Sequence, residues 1–199
     1  MDTAPSIFDS NEYFNVSFES LKLWEENLID YSFEDCSFHS CQFEKVSFSC
    51  SIFTSCEFIN CSFLMCDIGH TTLNGAHFND SRIIGLNFSE CNSFAFSPYF
   101  YKCILDSNIF FNNDFVKGKF IECKIKDIDF IECNFKSASF AKSSFSAVIF
   151  SKCDLEKADF LGAKDYSVDP FNNNLKNAKF DLPEAQSFLS FLDIKIVDD

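Results

Sequence analysis

An all-β solenoid is the fold class this sequence predicts, and three observations predict it. Phenylalanine recurs at every fifth residue from Phe33 through Phe38, Phe43, Phe48, Phe53 and Phe58 to Phe63. The comb reaches back through Leu28, Leu23, Phe18 and Tyr13 to Phe8, and forward through Ile68, Leu73, Phe78 and Ile83 to Phe88. It slips by two residues and resumes from Phe100 through Leu105, Phe110, Phe115 and Phe120 to Phe160. The second observation is a partner comb of mostly small residues two positions before each tooth, including Cys36, Cys41, Val46, Ser51, Cys56 and Cys61, and later Cys103, Gly118, Cys123, Ala138 and Ala158. The third is that the residues between these pairs are mostly polar.

A period of five fits neither the 3.6-residue repeat of a helix nor the two-residue repeat of a flat strand. A pair at i−2 and i that points the same way is a short extended segment. Each pentapeptide is then one straight side followed by a bend, and four sides close a coil of about 20 residues. Backbone groups pair with the coils above and below, which covers each strand edge.

Residues 1–17 carry few small partners and read as a cap or irregular first coil, with Trp24 belonging to the same early region. Residues 18–92 form a first lobe and residues 100–163 a second. Between them, residues 93–99 break both combs, and Pro98 offers no backbone donor. Phe94, Phe96, Tyr99 and Tyr101 make this break unusually aromatic; either the rings plug the join between lobes or they are offered to a partner. The break itself is either a loop at one corner or a kink between lobes.

After Ala163 the comb ends, and residues 164–199 read as a separate C-terminal module. Asp165 to Asn174 is rich in turn formers. Asp181-Leu182-Pro183-Glu184 reads as a helix start capped by Asp181, followed by Ala185, Phe188, Leu189 and Leu192 at helical spacing. Ile194 to Val197 reads as a short strand. Phe188, Leu189, Phe191, Leu192, Ile194 and Ile196 supply more apolar surface than capping one coil requires, and two-fold pairing of such modules would bury it.

Composition narrows the function. There is no basic leader and no long apolar run, so neither a signal peptide nor a membrane span is expected, and the chain reads as soluble and cytoplasmic. Ten of the eleven cysteines fall on the small comb and read as core thiols in a reducing compartment; Cys50 alone lies off it. No metal site is expected, because a ladder of inward thiols does not converge four ligands on a point. His39, His70 and His77 all fall on outward positions, and no nucleophile triad, phosphate loop or metalloprotease motif is present. The chain therefore reads as a non-enzyme without cofactors.

The net charge is −14, which argues against direct binding of nucleic acid. Its distribution is uneven: residues 18–92 hold 11 acids against 3 basic residues, a net of −8, whereas residues 100–163 hold 9 acids and 9 lysines. At ~4.8 Å per coil the first lobe rises roughly 18 Å, and duplex DNA of that length carries about 10 phosphates. The first lobe thus approaches the charge density of DNA, and the second does not.

The A/C/S-x-F/L-x-x pattern, running from about Phe18 to Ala163, resembles the pentapeptide-repeat family. The resemblance implies a right-handed quadrilateral β-helix. The tail, from Tyr166 through Leu175-Lys176, Ala178-Lys179-Phe180 and Leu182-Pro183-Glu184-Ala185 to Leu192-Asp193-Ile194, is similar to the C-terminal module of the albicidin-resistance members, and the whole plan more distantly resembles the Qnr-type members. That group implies a two-fold dimer through the tail and protection of type II topoisomerases, mainly DNA gyrase, from poisons, partly by DNA mimicry. The partner-binding residues expected on this reading are Glu25, Glu26, Asp30, Glu34 and Asp35 in the acidic lobe and Phe94, Phe96 and Tyr99 at the break. The competing expectation is a repeat scaffold that binds an unrelated protein.

Overall fold

The structure, a computed structural model, describes residues 8–195. Every strand pairing is parallel and joins a residue to its equivalent one coil on. On the first side, Glu12–Phe14, Ser32–Glu34, Ile52–Thr54 and Thr72–Asn74 line up in order. The second side runs from Ser17–Glu19 through Ser37–His39, Glu57–Ile59, His77–Asn79 and Tyr99–Tyr101 to Lys119–Ile121. The third side begins at Lys22–Trp24 and reaches Ile104–Asp106, then joins the longer strands Lys124–Ile131 and Ser144–Ser151 that round the next corner. On the fourth side, single bridges such as Asn27 to Ser47 and Ser47 to Asp67 replace full strands. The chain is an all-β parallel solenoid with four sides.

Each tooth stacks on the tooth one coil away. Along the second side the rings of Phe18, Phe38, Phe58, Phe78, Phe100, Phe120, Phe140, Phe160 and Phe180 form one column with centroids 4.8–5.3 Å apart. Neighbouring sides meet edge to face, as with Phe33 and Phe38 at 72°. Such aromatic pairs contribute roughly 0.5–1.5 kcal/mol each beyond the burial of their area.

The small comb does more than fill corners. Where the chain bends, the tooth's own carbonyl is taken by the small residue of the next coil. Ser51 Oγ donates to Leu28 O at 2.6 Å, Thr71 Oγ1 to Phe48 O at 2.8 Å, Ser143 Oγ to Phe120 O at 2.6 Å, and Asn108 Nδ2 to Ile83 O at 2.9 Å. Cys56 and Cys61 make the weaker thiol equivalent to Phe33 O and Phe38 O. Ser, Thr, Cys and Asn recur here because each combines small volume with a donor. Ser51 Oγ also accepts from Tyr31 N at 2.9 Å, and Ser81 Oγ likewise from Cys61 N. Two residues past most teeth the backbone turns left-handed whatever the side chain: Asp35, Lys45, Met65 and Lys117 have φ between 51° and 59°, and Gly75 and Gly85 fill the same corner.

Regular pairing begins at Glu12, inside the stretch read as an irregular cap, with Phe8 already in the core. The mid-chain break is an insertion in one wall. Phe78 pairs with Phe100, Ile83 with Leu105 and Asn87 with Ile109, so three sides pass the break with neighbours 22 residues apart instead of 20. On the first side Asn92 N bonds Thr71 O at 2.9 Å and Ser97 N bonds Leu73 O at 3.0 Å, leaving Ser93 to Phe96 as a bulge.

The repeat also continues past Ala163. Asp154 bridges Asn174 and Asp159 bridges Lys179, while Phe180 stacks on Phe160 at 5.0 Å. The tail helix, Glu184–Phe191, is a 3₁₀ helix rather than an α-helix. Asp181 does not cap it: Asp181 Oδ2 accepts from Gly162 N at 2.8 Å, tying the tail to the preceding coil. Ile194 and Lys195 form no strand, and Ile196 and Val197 lie outside the described residues.

Two substitutions test this core. Phe48→Ala is expected to lower unfolding free energy in urea by about 3–5 kcal/mol as a large-to-small core change. Ser51→Ala removes no large volume, yet should cost about 1–3 kcal/mol by stranding Tyr31 N and Leu28 O. A near-neutral Ser51→Ala would show that the comb only fills space.

Candidate functional site

The acidic residues singled out by sequence sit at bends and not on one wall. Glu25 and Glu26 occupy the corner between the third and fourth sides, Asp30 the corner between the fourth and first, and Asp35 the corner between the first and second. Glu34 ends the strand Ser32–Glu34. Glu26 and the other four all reach the surface, so the structure surrounds the early coils with carboxylates without gathering them. Glu25 is held 3.0 Å from Lys45 one coil on, and the Lys45 ammonium also lies over the Trp24 ring.

The two halves differ in how their charges are met. Within residues 18–92 the Lys45–Glu25 contact is the one ion pair found. In the second half Lys126 meets Asp106 and Asp127, Lys136 and Lys157 share Glu156, Lys142 meets Glu122 and Lys152 meets Glu132. The coil period sets most of these partners, because residues 20 apart stand one above the other. Acids of the first half are therefore left to solvent, and those of the second half are largely neutralised.

At the insertion the aromatic residues separate. Phe94 is 80% exposed, whereas Phe96 turns inward and packs edge to face on Phe115 with centroids 5.1 Å apart. Phe96 thus stands in for a missing tooth on the first side. Tyr99 is half-buried on the second side with its ring 5.0 Å from that of His77.

The C-terminal module buries little on its own chain. Phe188 packs on Phe180 at 4.8 Å and near Tyr166, closing the end of the core. Phe191 is partly covered, and Leu189, Leu192 and Ile194 remain exposed together with Leu182. Ile196 lies outside the described residues.

One surface is missing from the sequence reading. Ile109, Phe111, Ile131 and Ile149 project from the fourth side of the second half, each at least 36% exposed. They flank inward teeth, so the signal was present as large apolar residues at outward positions. Phe111 also reaches the base of the insertion.

Among the described residues no three His, Cys, Asp or Glu side chains are grouped to hold a metal ion, and no helix is long and apolar enough to cross a membrane. All eleven cysteines are free. Burial pushes the Cys56 thiol up to about 12 and the Cys66 thiol up to about 11.

Two outcomes follow from these placements. Phe94→Ala should leave unfolding within about 0.5 kcal/mol of the parent, while Phe96→Ala should cost about 3–5 kcal/mol; equal effects would deny the division of the rings. A thiol reagent at pH 8 should label Cys50 promptly and buried thiols such as Cys56 and Cys66 only on unfolding. Rapid labelling of these buried thiols in the native chain would contradict a closed core.

Comparison with known proteins agrees with this geometry. The family model described as pentapeptide repeats matches eight copies over residues 36–75 and 128–164. A trypsin-treated variant of QnrB1, a plasmid-mediated fluoroquinolone resistance protein, aligns with a TM-score of 0.56 at 20% identity, covering 91% of this chain and 100% of that one. A second trypsin-treated QnrB1 variant aligns at 0.50 with 19% identity, over 92% of this chain and 99% of the other. At this identity the likeness is one of fold. No curated protein matches the chain by sequence. Over the matched residues the chain is similar to the pentapeptide-repeat family, and the same five-residue spacing continues between and beyond them in the four-sided coil.

Proposed function

We propose that this chain is a non-enzymatic, cytoplasmic topoisomerase-protection protein that binds DNA gyrase and relieves a poison of the albicidin or quinolone type. The observation that carries the reading is the unbalanced first half: 11 acids, all but one outside any ion pair found there, on a rod of regular rise. Carboxylates around successive corners set up a negative field that a basic DNA-binding surface attracts, which speeds encounter more than it adds affinity. The neutralised second half leaves the DNA-like character to one end. Phe94, exposed on the insertion, is the group offered to the enzyme for a specific contact. The similarity of fold to fluoroquinolone resistance proteins is consistent with this role.

The unburied tail supports a homodimer. Leu182, Leu189, Leu192 and Ile194 form an apolar surface at the end of the rod, and a two-fold axis there would direct both acidic ends outward. A second reading, a scaffold for an unrelated protein, is favoured by the apolar wall of Ile109, Phe111, Ile131 and Ile149, which an electrostatic mimic does not need.

Supercoiling by purified gyrase, inhibited by albicidin and separately by a fluoroquinolone, tests the reading. Titrating in the protein should restore supercoiling against at least one poison, and Phe94→Ala should weaken the rescue without unfolding the rod. Unchanged inhibition at high protein excess with both poisons would overturn it in favour of the scaffold. Leu189→Asp should convert the dimer to monomers in light scattering, because a buried interface does not accept an unpaired charge; a variant that stays dimeric would move the interface elsewhere.

A further inference from the structure

The insertion does more than expose Phe94: it opens a cleft of about 270 Å³ where the first and second sides meet. One flank is a column on the second side, because His77 pairs in register with Tyr99 and Tyr99 with Lys119. The rings of His77 and Tyr99 lie 5.0 Å apart at 30°, and Phe96 lines the cleft from the insertion. The other flank carries Lys117, at a left-handed corner.

Lys117 and Lys119 both border this cleft. Lys45, Lys126, Lys136, Lys142, Lys152 and Lys157 each hold a carboxylate within 3.6 Å. Neither Lys117 nor Lys119 holds one, although the molecule carries a net charge of −14. Two unmatched cations beside aromatic faces form a site for a ligand with a flat apolar body and a negative end. Asp114 also borders the cleft, with its Oδ1 taken by Val116 N at 3.0 Å. Its fixed negative charge disfavours a multiply charged anion. The volume suits one or two fused rings, below the roughly 300–1,000 Å³ typical of larger ligands.

We propose that this cleft binds a small planar aromatic monocarboxylate, with the ring against Phe96 and Tyr99 and the carboxylate between Lys117 and Lys119. The proposal does not depend on gyrase as a partner.

Calorimetric titration of the full chain with 2-naphthoate tests it, alongside naphthalene-2-methanol as the neutral analogue and inorganic phosphate as charge alone. Saturable binding of 2-naphthoate is expected, with both controls at least about tenfold weaker, since neither the ring nor the charge suffices alone. The double variant Lys117→Gln/Lys119→Gln should keep its circular dichroism and lose about tenfold in naphthoate affinity, and added salt should weaken the parent in the same direction. Absence of saturable naphthoate binding would overturn the proposal. So would undiminished binding by the double variant, or phosphate binding as tightly as naphthoate.

Discussion

The fold depends on one hydrogen bond repeated at the bends. A side of three residues gives the backbone too little length to satisfy both ends through the sheet, so the tooth's carbonyl needs another donor. The small residue of the next coil supplies it, as Ser51 does for Leu28 and Asn108 for Ile83. This makes the two combs interdependent. A tooth can stack on its successor only if the small residue before that successor is both slight enough to fit and able to donate, or inert enough to be tolerated, as Ala138 and Val46 are.

That dependence explains what could be read from the residues alone and what could not. The inward positions obey a strict period, so the solenoid and its core were legible. The last coil was not, although Asn173 precedes Leu175 and Ala178 precedes Phe180 in the same phase. Asn173 makes the comb's own bonds, donating to Phe150 O and accepting from Cys153 N. The irregular corner at Asp165 to Asn172 hid this continuity. The tail helix was legible, but not its type, because the spacing of Ala185, Phe188 and Leu189 also suits the tighter 3₁₀ turn lying over the core end.

The surface was harder to read because outward residues answer to no period. Phe94 and Phe96 are alike in sequence and opposite in role, and only the register of the inserted residues distinguishes them. Counting acids by lobe located the charge, but the more informative fact was pairing: lysines in the second half meet acids one coil away, and the first half has too few lysines to do so. The apolar group around Ile109 and Phe111 was visible as composition and became a surface only when coils were stacked.

Three walls carry their ladders across the insertion as though nothing had been added, and the phenylalanine column from Phe78 to Phe100 runs through it without a gap. A bend is therefore a splice point. Extra chain can leave the rod there and return to the same rung, at a closure cost that rises by only about 0.6 kcal/mol for each doubling of its length. The rod acts as a ruler on which protruding segments are set at chosen heights and compass directions. Changing what such a protein recognises then requires a new segment at an existing corner, with the ruler itself left as it is.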